Sequence, residues 1–294
     1  MENFFTALAK HDFLQTAVAA ALLASIGCGL MGTYVVVKRI SFLAGGIAHS
    51  VLGGMGAAVC LGFDPLHGAL LAAISAALLI GWVRLNWQTQ EDTLISALWA
   101  IGMAAGVLFI TKAPGYQADL MGYLFGNILL VSHESLWFML ALDILLLIVV
   151  GAYHHQFLAV VFDEEFARLR GIPVGFYYLL LLVLVAVTVV LLIRIVGLIL
   201  VLALLTLPAA VAGHYVHSLG RIMLIATLLG ILLSISGLAL SYGPDLPAGP
   251  TIILLAGAVY VVSALFIRAA NRRRAALVAA SQGARRREAV DNKV

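Results

Sequence analysis

Charge is the scarcest feature of this sequence. Asp, Glu, Lys and Arg make up 11% of its 294 residues, 63% are apolar, and the mean hydropathy is +1.10. A water-soluble domain of this composition would turn mostly hydrocarbon toward solvent, so a cytosolic globular protein is excluded, and no nucleic-acid partner is expected. Cysteine is nearly absent: Cys28 and Cys60 both lie inside apolar runs, which excludes a disulfide framework and a thiolate zinc site. There is no G-x-x-x-x-G-K-[ST] phosphate loop, so the chain does not use ATP by that route. Residues 1–12 lack a basic stretch leading to a small-residue cleavage site, so the first apolar run is expected to remain as a span.

What is present is hydrocarbon in lengths that suit a bilayer, which needs about 20 residues per helix. The expected fold is all-α, a polytopic helical membrane protein. Nine runs qualify: 13–37, 41–62, 66–83, 93–111, 134–153, 174–193, 196–213, 222–240 and 251–267. The count is eight if the first or third run is re-entrant. Residues 112–132 are too broken for a simple span and read as an outer loop carrying a short surface or re-entrant helix. Residues 1–267 form one transmembrane domain, and 268–294 form a basic tail expected to be partly disordered. With the C-terminus inside, all but Lys10, Lys112 and Arg194 of the 17 Lys and Arg fall on the cytoplasmic side, as the positive-inside rule requires. Nine spans then put the N-terminus outside.

Three places depart from plain hydrocarbon. Within residues 38–62, Gly45, Gly46, Gly53, Gly54 and Gly56 accompany a histidine, His49, at membrane depth. An intramembrane imidazole faces protein or water, and glycines let a neighbouring backbone or an ion come close. Gly45, Gly46, Ser50 and Gly53 are therefore candidates to line a pathway with His49. The plainer reading is a tightly packed helix whose histidine bonds a neighbour's carbonyl.

The second place is Asp143, near the middle of the fifth span, where an unpaired carboxylate costs roughly 2.5–3.5 kcal/mol on insertion scales. It is either a ligand facing His49 across a pore or an acid bonded to an adjacent helix. The third is a short helix between spans five and six. Asp163 is placed to cap it, Glu164 and Glu165 occupy its first turn, Arg168 and Arg170 its last, Gly171 suits the left-handed cap and Pro173 stops it. Phe162, Phe166 and Leu169 share one face. Such a helix either receives a protein partner or lies flat on its own bundle. The pairs His154/His155 and His214/His217 have metal-holding spacing but also suit interfacial polar positions. Pro208 kinks the seventh span, as a hinge or as a tolerated break.

Taken in order, Arg39 to Gly54 with Ala48-His49-Ser50, then Asp119-Leu120-Met121-Gly122-Tyr123-Leu124-Phe125-Gly126, the helix at 165–173, Val196-Gly197-Leu198 running to Leu207-Pro208-Ala209-Ala210, and Asp245-Leu246-Pro247-Ala248-Gly249-Pro250 resemble the permease subunit of the zinc, manganese and iron ABC importers, the ABC-3 family. The resemblance implies a type II-like importer permease in a bacterial inner membrane. It also implies a homodimer around a pore, a separate ABC ATPase subunit docked on the cytoplasmic helix, and an extracytoplasmic metal-binding protein. The permease would then be a transport subunit and not an enzyme, with lipid around it and no permanently bound cofactor. Its cargo would be a divalent ion, zinc or manganese before iron.

Members of the family often place an aspartate four residues before the histidine of the second span. Here that position is Gly45, and Asp143 is the candidate for the missing charge. The alternatives are a permease for a metal chelate of haem, siderophore or cobalamin type, and a stand-alone secondary transporter. The second would bring inverted repeats and several buried charges.

Overall fold

The structure is a computed structural model that describes the backbone of residues 4–87, 91–112, 126, 128–244 and 246–291, with side chains as far as residue 272 apart from those of residues 5, 91 and 194. The motif residues Asp119–Phe125 and Asp245 lie outside the described residues, as does most of the interrupted segment.

Among the described residues there are only helices, nine of them long and apolar enough to cross a bilayer. A short α1 (Phe4–Lys10) leads into α2 (Asp12–Val37), α3 (Ser41–Cys60), α4 (Pro65–Asn86) and α5 (Glu91–Lys112). A single 3-10 turn, Ile128–Leu130, precedes α6 (His133–Ala152). The short α7 (His154–Phe162) and α8 (Glu164–Leu169) follow, and then α9 (Val174–Val196), α10 (Leu198–Tyr215), α11 (Leu219–Tyr242) and α12 (Ala248–Asp291). Helices satisfy their own backbone polar groups, which lipid cannot do, and this is why so apolar a chain takes no other form.

The chain breaks these helices with local chemistry. After α2, α3 and α8 the last turn closes in the same way, with a left-handed residue donating to the carbonyl three back and the next residue to the one five back. Gly62 (φ 77°) and Gly171 (φ 74°) take that position as glycine should, whereas after α2 it is held by Arg39 (φ 61°). Asp64 accepts from the Leu66 amide at 2.7 Å, and Pro65 opens α4. Gly197 (φ 86°) separates α9 from α10.

The first span is the centre of the bundle. α2 packs on α6, α9, α10 and α11, and its own glycines set the spacing. A Cβ at Gly29 would collide with the Thr227 backbone of α11, and one at Gly32 with the Leu205 carbonyl of α10. One wing of the bundle is α3 with α4 and α5, joined to the centre through α9; the other is α10 with α11 and α12. The outward faces of α5, α6 and α12 carry exposed Leu, Val, Ile and Phe such as Leu108, Ile148 and Leu254, as lipid contact requires.

Beyond residue 267, α12 continues as helix to Asp291. The Ala and Arg that dominate this stretch are strong helix formers.

Candidate functional site

α3 and α5 run parallel at a nearly constant offset, so residues about 50 apart in sequence meet at one depth. A Cβ at Gly53 would stand 2.9 Å from the Gly102 carbonyl oxygen, and one at Gly56 2.7 Å from that of Gly106. A Cβ at Gly102 in turn would stand 2.6 Å from the Ser50 Cα. Glycine against glycine brings the two backbones together, as small residues do between helices in lipid. Gly46 meets Ile95 in the same seam, and the Ser50 hydroxyl donates to the Ile47 carbonyl of its own helix at 2.7 Å. Gly46, Ser50 and Gly53, read from sequence as pathway candidates, thus face α5.

Gly45 and His49, four residues apart, border the same helix at Trp99. The His49 ring stacks on the indole of Trp99, with centroids 4.1 Å apart and planes 11° from parallel. A Cβ at Gly45 would lie 3.6 Å from the same indole, an ordinary contact. His49 is half-buried, and so is Trp99. The arrangement is an imidazole held by its flat side, its nitrogens turned to the ring edge, with room beside it at Gly45. Trp99 went unnoticed in the sequence, where a tryptophan in a span reads as apolar bulk. The signal available was its place eight residues past the start of α5, matching His49 eight residues past the start of the parallel α3.

Asp143 is elsewhere. It is 3% exposed, inside a seam of α6 with α2 and α9. A Cβ at Gly27 would stand 2.9 Å from its Oδ1 and 3.7 Å from Thr188, so the absence of a side chain at Gly27 is what admits the carboxyl. Its Oδ2 makes no hydrogen bond with the described residues. α6 packs on α2, α7 and α9, whereas α3 packs chiefly on α4 and α5, and also on α9, α10 and α2, so Asp143 and His49 sit on elements with different principal neighbours. Among the described residues no three His, Cys, Asp or Glu gather to hold an ion.

The short element between α6 and α9 is built as its sequence implies. Asp163 Oδ1 accepts from the Phe166 amide at 2.9 Å, capping α8, and Arg170 lies over the Phe166 ring at 4.7 Å. Leu169 is 87% exposed, with Phe162 and Phe166 exposed beside it. α7 and α8 enclose an open groove of about 630 Å³ lined by Leu158, Phe162, Phe166 and Ile172. The element is tied inward by Lys38, at the end of α2, whose Nζ reaches Glu164 Oε1 at 2.5 Å and the Val160 carbonyl at 2.8 Å. Phe157 of α7 is fully buried, edge-on to Tyr34 of α2 and Tyr177 of α9. From sequence Lys38 is only one more basic loop residue. Glu165 and Arg168 are exposed.

His214 is committed within the bundle, its Nδ1 3.1 Å from Ser263 Oγ and its ring over Tyr260. Pro208 is buried inside an otherwise continuous α10. At the outer end, Gly126 (φ 66°) lies so close to the Val196 carbonyl and the Gly197 amide that a side chain there would collide with backbone, which brings the last residue of one motif onto the first residues of another.

The model of the ABC 3 transport family matches residues 10–267. The chain belongs to that family. It is 42% identical over 264 residues to a probable metal transport system membrane protein of Chlamydia trachomatis serovar D, covering 88% of this chain and 90% of that one. It is 31% identical over 263 residues, 90% of each chain, to the manganese transport system membrane protein MntC of Halalkalibacterium halodurans. Among solved structures it resembles PsaBC from Streptococcus pneumoniae in complex with Fab, at a TM-score of 0.79 and 32% identity over 88% of this chain and 94% of that one. The ABC-3 chain is thus a multi-pass bacterial inner-membrane protein of the ABC permease type.

Proposed function

We propose that the chain is the membrane subunit of an importer that carries a divalent transition-metal ion, manganese or zinc before iron, into the cytoplasm. The observation that carries this reading is the face made by His49, Gly45 and Trp99, at membrane depth in a chain whose relatives include a manganese transport system membrane protein. His49 contacts the ion. Imidazole suits first-row metals, and stacking on Trp99 fixes the ring without consuming either nitrogen. One imidazole is a weak site, which suits passage, and a homodimer supplies a second one.

ATP hydrolysis belongs to a separate subunit. The exposed Phe162, Phe166 and Leu169 on the capped helix offer that subunit an apolar contact. Lys38 and Phe157 carry its movement to α2 at the centre of the bundle, without slack. An extracytoplasmic metal-binding protein delivers the cargo at the opposite face.

The test is metal-dependent ATP hydrolysis by the permease reconstituted with its ATPase and binding protein, across manganese, zinc, iron and haem. Stimulation by a free divalent ion, lost in His49→Ala, is the expected result. Stimulation by haem alone would replace this reading with the chelate importer, for which the missing carboxylate at Gly45 would be the structural reason.

A further inference from the structure

If the cargo is a metal ion, it has to be received at the outer face before it reaches His49. That face is identified by α2, whose far end, Lys38, is bonded to Glu164 of the cytoplasmic helix, so its first residue, Asp12, is extracytoplasmic. α6 packs along α2 and begins at His133 on the same side. There His133 Nε2 and Asp12 Oδ2 stand 3.2 Å apart, with the two side chains 69% and 77% exposed.

We propose that Asp12 and His133 form an entry site that takes a divalent transition-metal ion at the outer mouth, an assignment that rests on the metal-import reading above. The donor set is a hard carboxylate and a borderline imidazole, the combination that zinc and manganese accept and that the midplane lacks because Gly45 carries no side chain. The spacing fits too. Metal bonds of about 2.0–2.2 Å, at angles between octahedral and tetrahedral, separate two donor atoms by roughly 3.0–3.5 Å. An ion therefore fits between the two donor atoms with little movement of either side chain.

Both backbones are fixed. Asp12 and His133 each open a long helix, and the turn at His133 is closed by the Ser132 hydroxyl, which accepts from the Ser135 amide at 3.2 Å. Two protein ligands leave the other coordination positions to water or to groups of the delivering protein. Such a site holds an ion briefly, as transfer demands. An exposed ion pair adds little to stability, so stability alone gives no reason for this pairing.

The experiment is manganese binding by the purified full-length permease in detergent, read from the free-ion electron paramagnetic resonance signal, with zinc as competitor. Asp12→Asn and His133→Gln are each expected to weaken one bound equivalent at least tenfold, with no further loss in the double variant, while His49→Ala retains that equivalent. In the wild type, zinc is expected to protect His133 from diethylpyrocarbonate, a readout that needs no variant to fold. Isotherms for Asp12→Asn and His133→Gln that superimpose on the wild type, or modification of His133 unaffected by saturating zinc, would leave the two residues an ion pair only and overturn the proposal. No ATPase, binding protein or transport step is involved, so a chelate cargo would sink the import reading without altering these isotherms.

Discussion

His49 and Asp143 are both polar residues inside spans, and both invite a functional reading, yet their surroundings are opposite. His49 is half-buried and stacked on Trp99, and a Cβ at the neighbouring Gly45 would meet only an ordinary contact with the same indole. Asp143 is enclosed, and the glycine next to it, Gly27, is filled by its own carboxyl. At one site the missing side chain could be restored as a Cβ without a clash. At the other it makes room for a residue of the chain itself. An expensive residue at membrane depth therefore marks a function only when its neighbours leave it a face to offer.

The contrast is sharpest at the two glycines. Gly27→Leu drives a side chain into Asp143 Oδ1, and overpacking of this kind costs about 3 kcal/mol, to be seen as a lowered unfolding temperature in detergent. Gly45→Ala meets only an ordinary contact with Trp99 and is expected to leave that temperature unchanged. Equal effects at the two positions would erase the distinction.

The polar residues come next. His49→Ala is expected to reduce metal uptake about tenfold, equivalent to about 1.4 kcal/mol. Asp143→Leu keeps uptake and shifts stability by less than about 1 kcal/mol, because an oxygen without a hydrogen bond is removed from an apolar seam. Smaller still is Trp99. Trp99→Leu loses the stack, about 0.5–1.5 kcal/mol for an aromatic pair, and raises the metal concentration needed for half-maximal uptake, whereas Trp99→Phe keeps most of the effect.

The sequence spoke clearly about features decided within one helix. Span length and hydropathy located the nine candidate crossings found among the described residues, and the left-handed Gly171 and capping Asp163 were visible because caps act over three or four residues. It was silent about neighbours. That Gly46, Ser50 and Gly53 face α5, that Trp99 covers His49, and that Lys38 reaches Glu164 across 126 positions all depend on which helix lies beside which. In a bilayer every apolar face is equally content with lipid, so hydropathy does not choose among partners. Small residues do: the Gly53 and Gly56 pattern of α3 has its counterpart in Gly102 and Gly106 of α5, and matching the two would have put Trp99 at the depth of His49.

The central claim is that the pathway runs past His49 and leaves Asp143 inside the wall. The most direct measurement is manganese uptake into proteoliposomes holding the permease with its ATPase and binding protein, comparing His49→Ala with Asp143→Asn at equal amounts of folded protein. Uptake should fall about tenfold in the first and stay at the wild-type rate in the second. Uptake that survives in His49→Ala and collapses in Asp143→Asn would put the ion in the α2–α6–α9 seam and contradict the account.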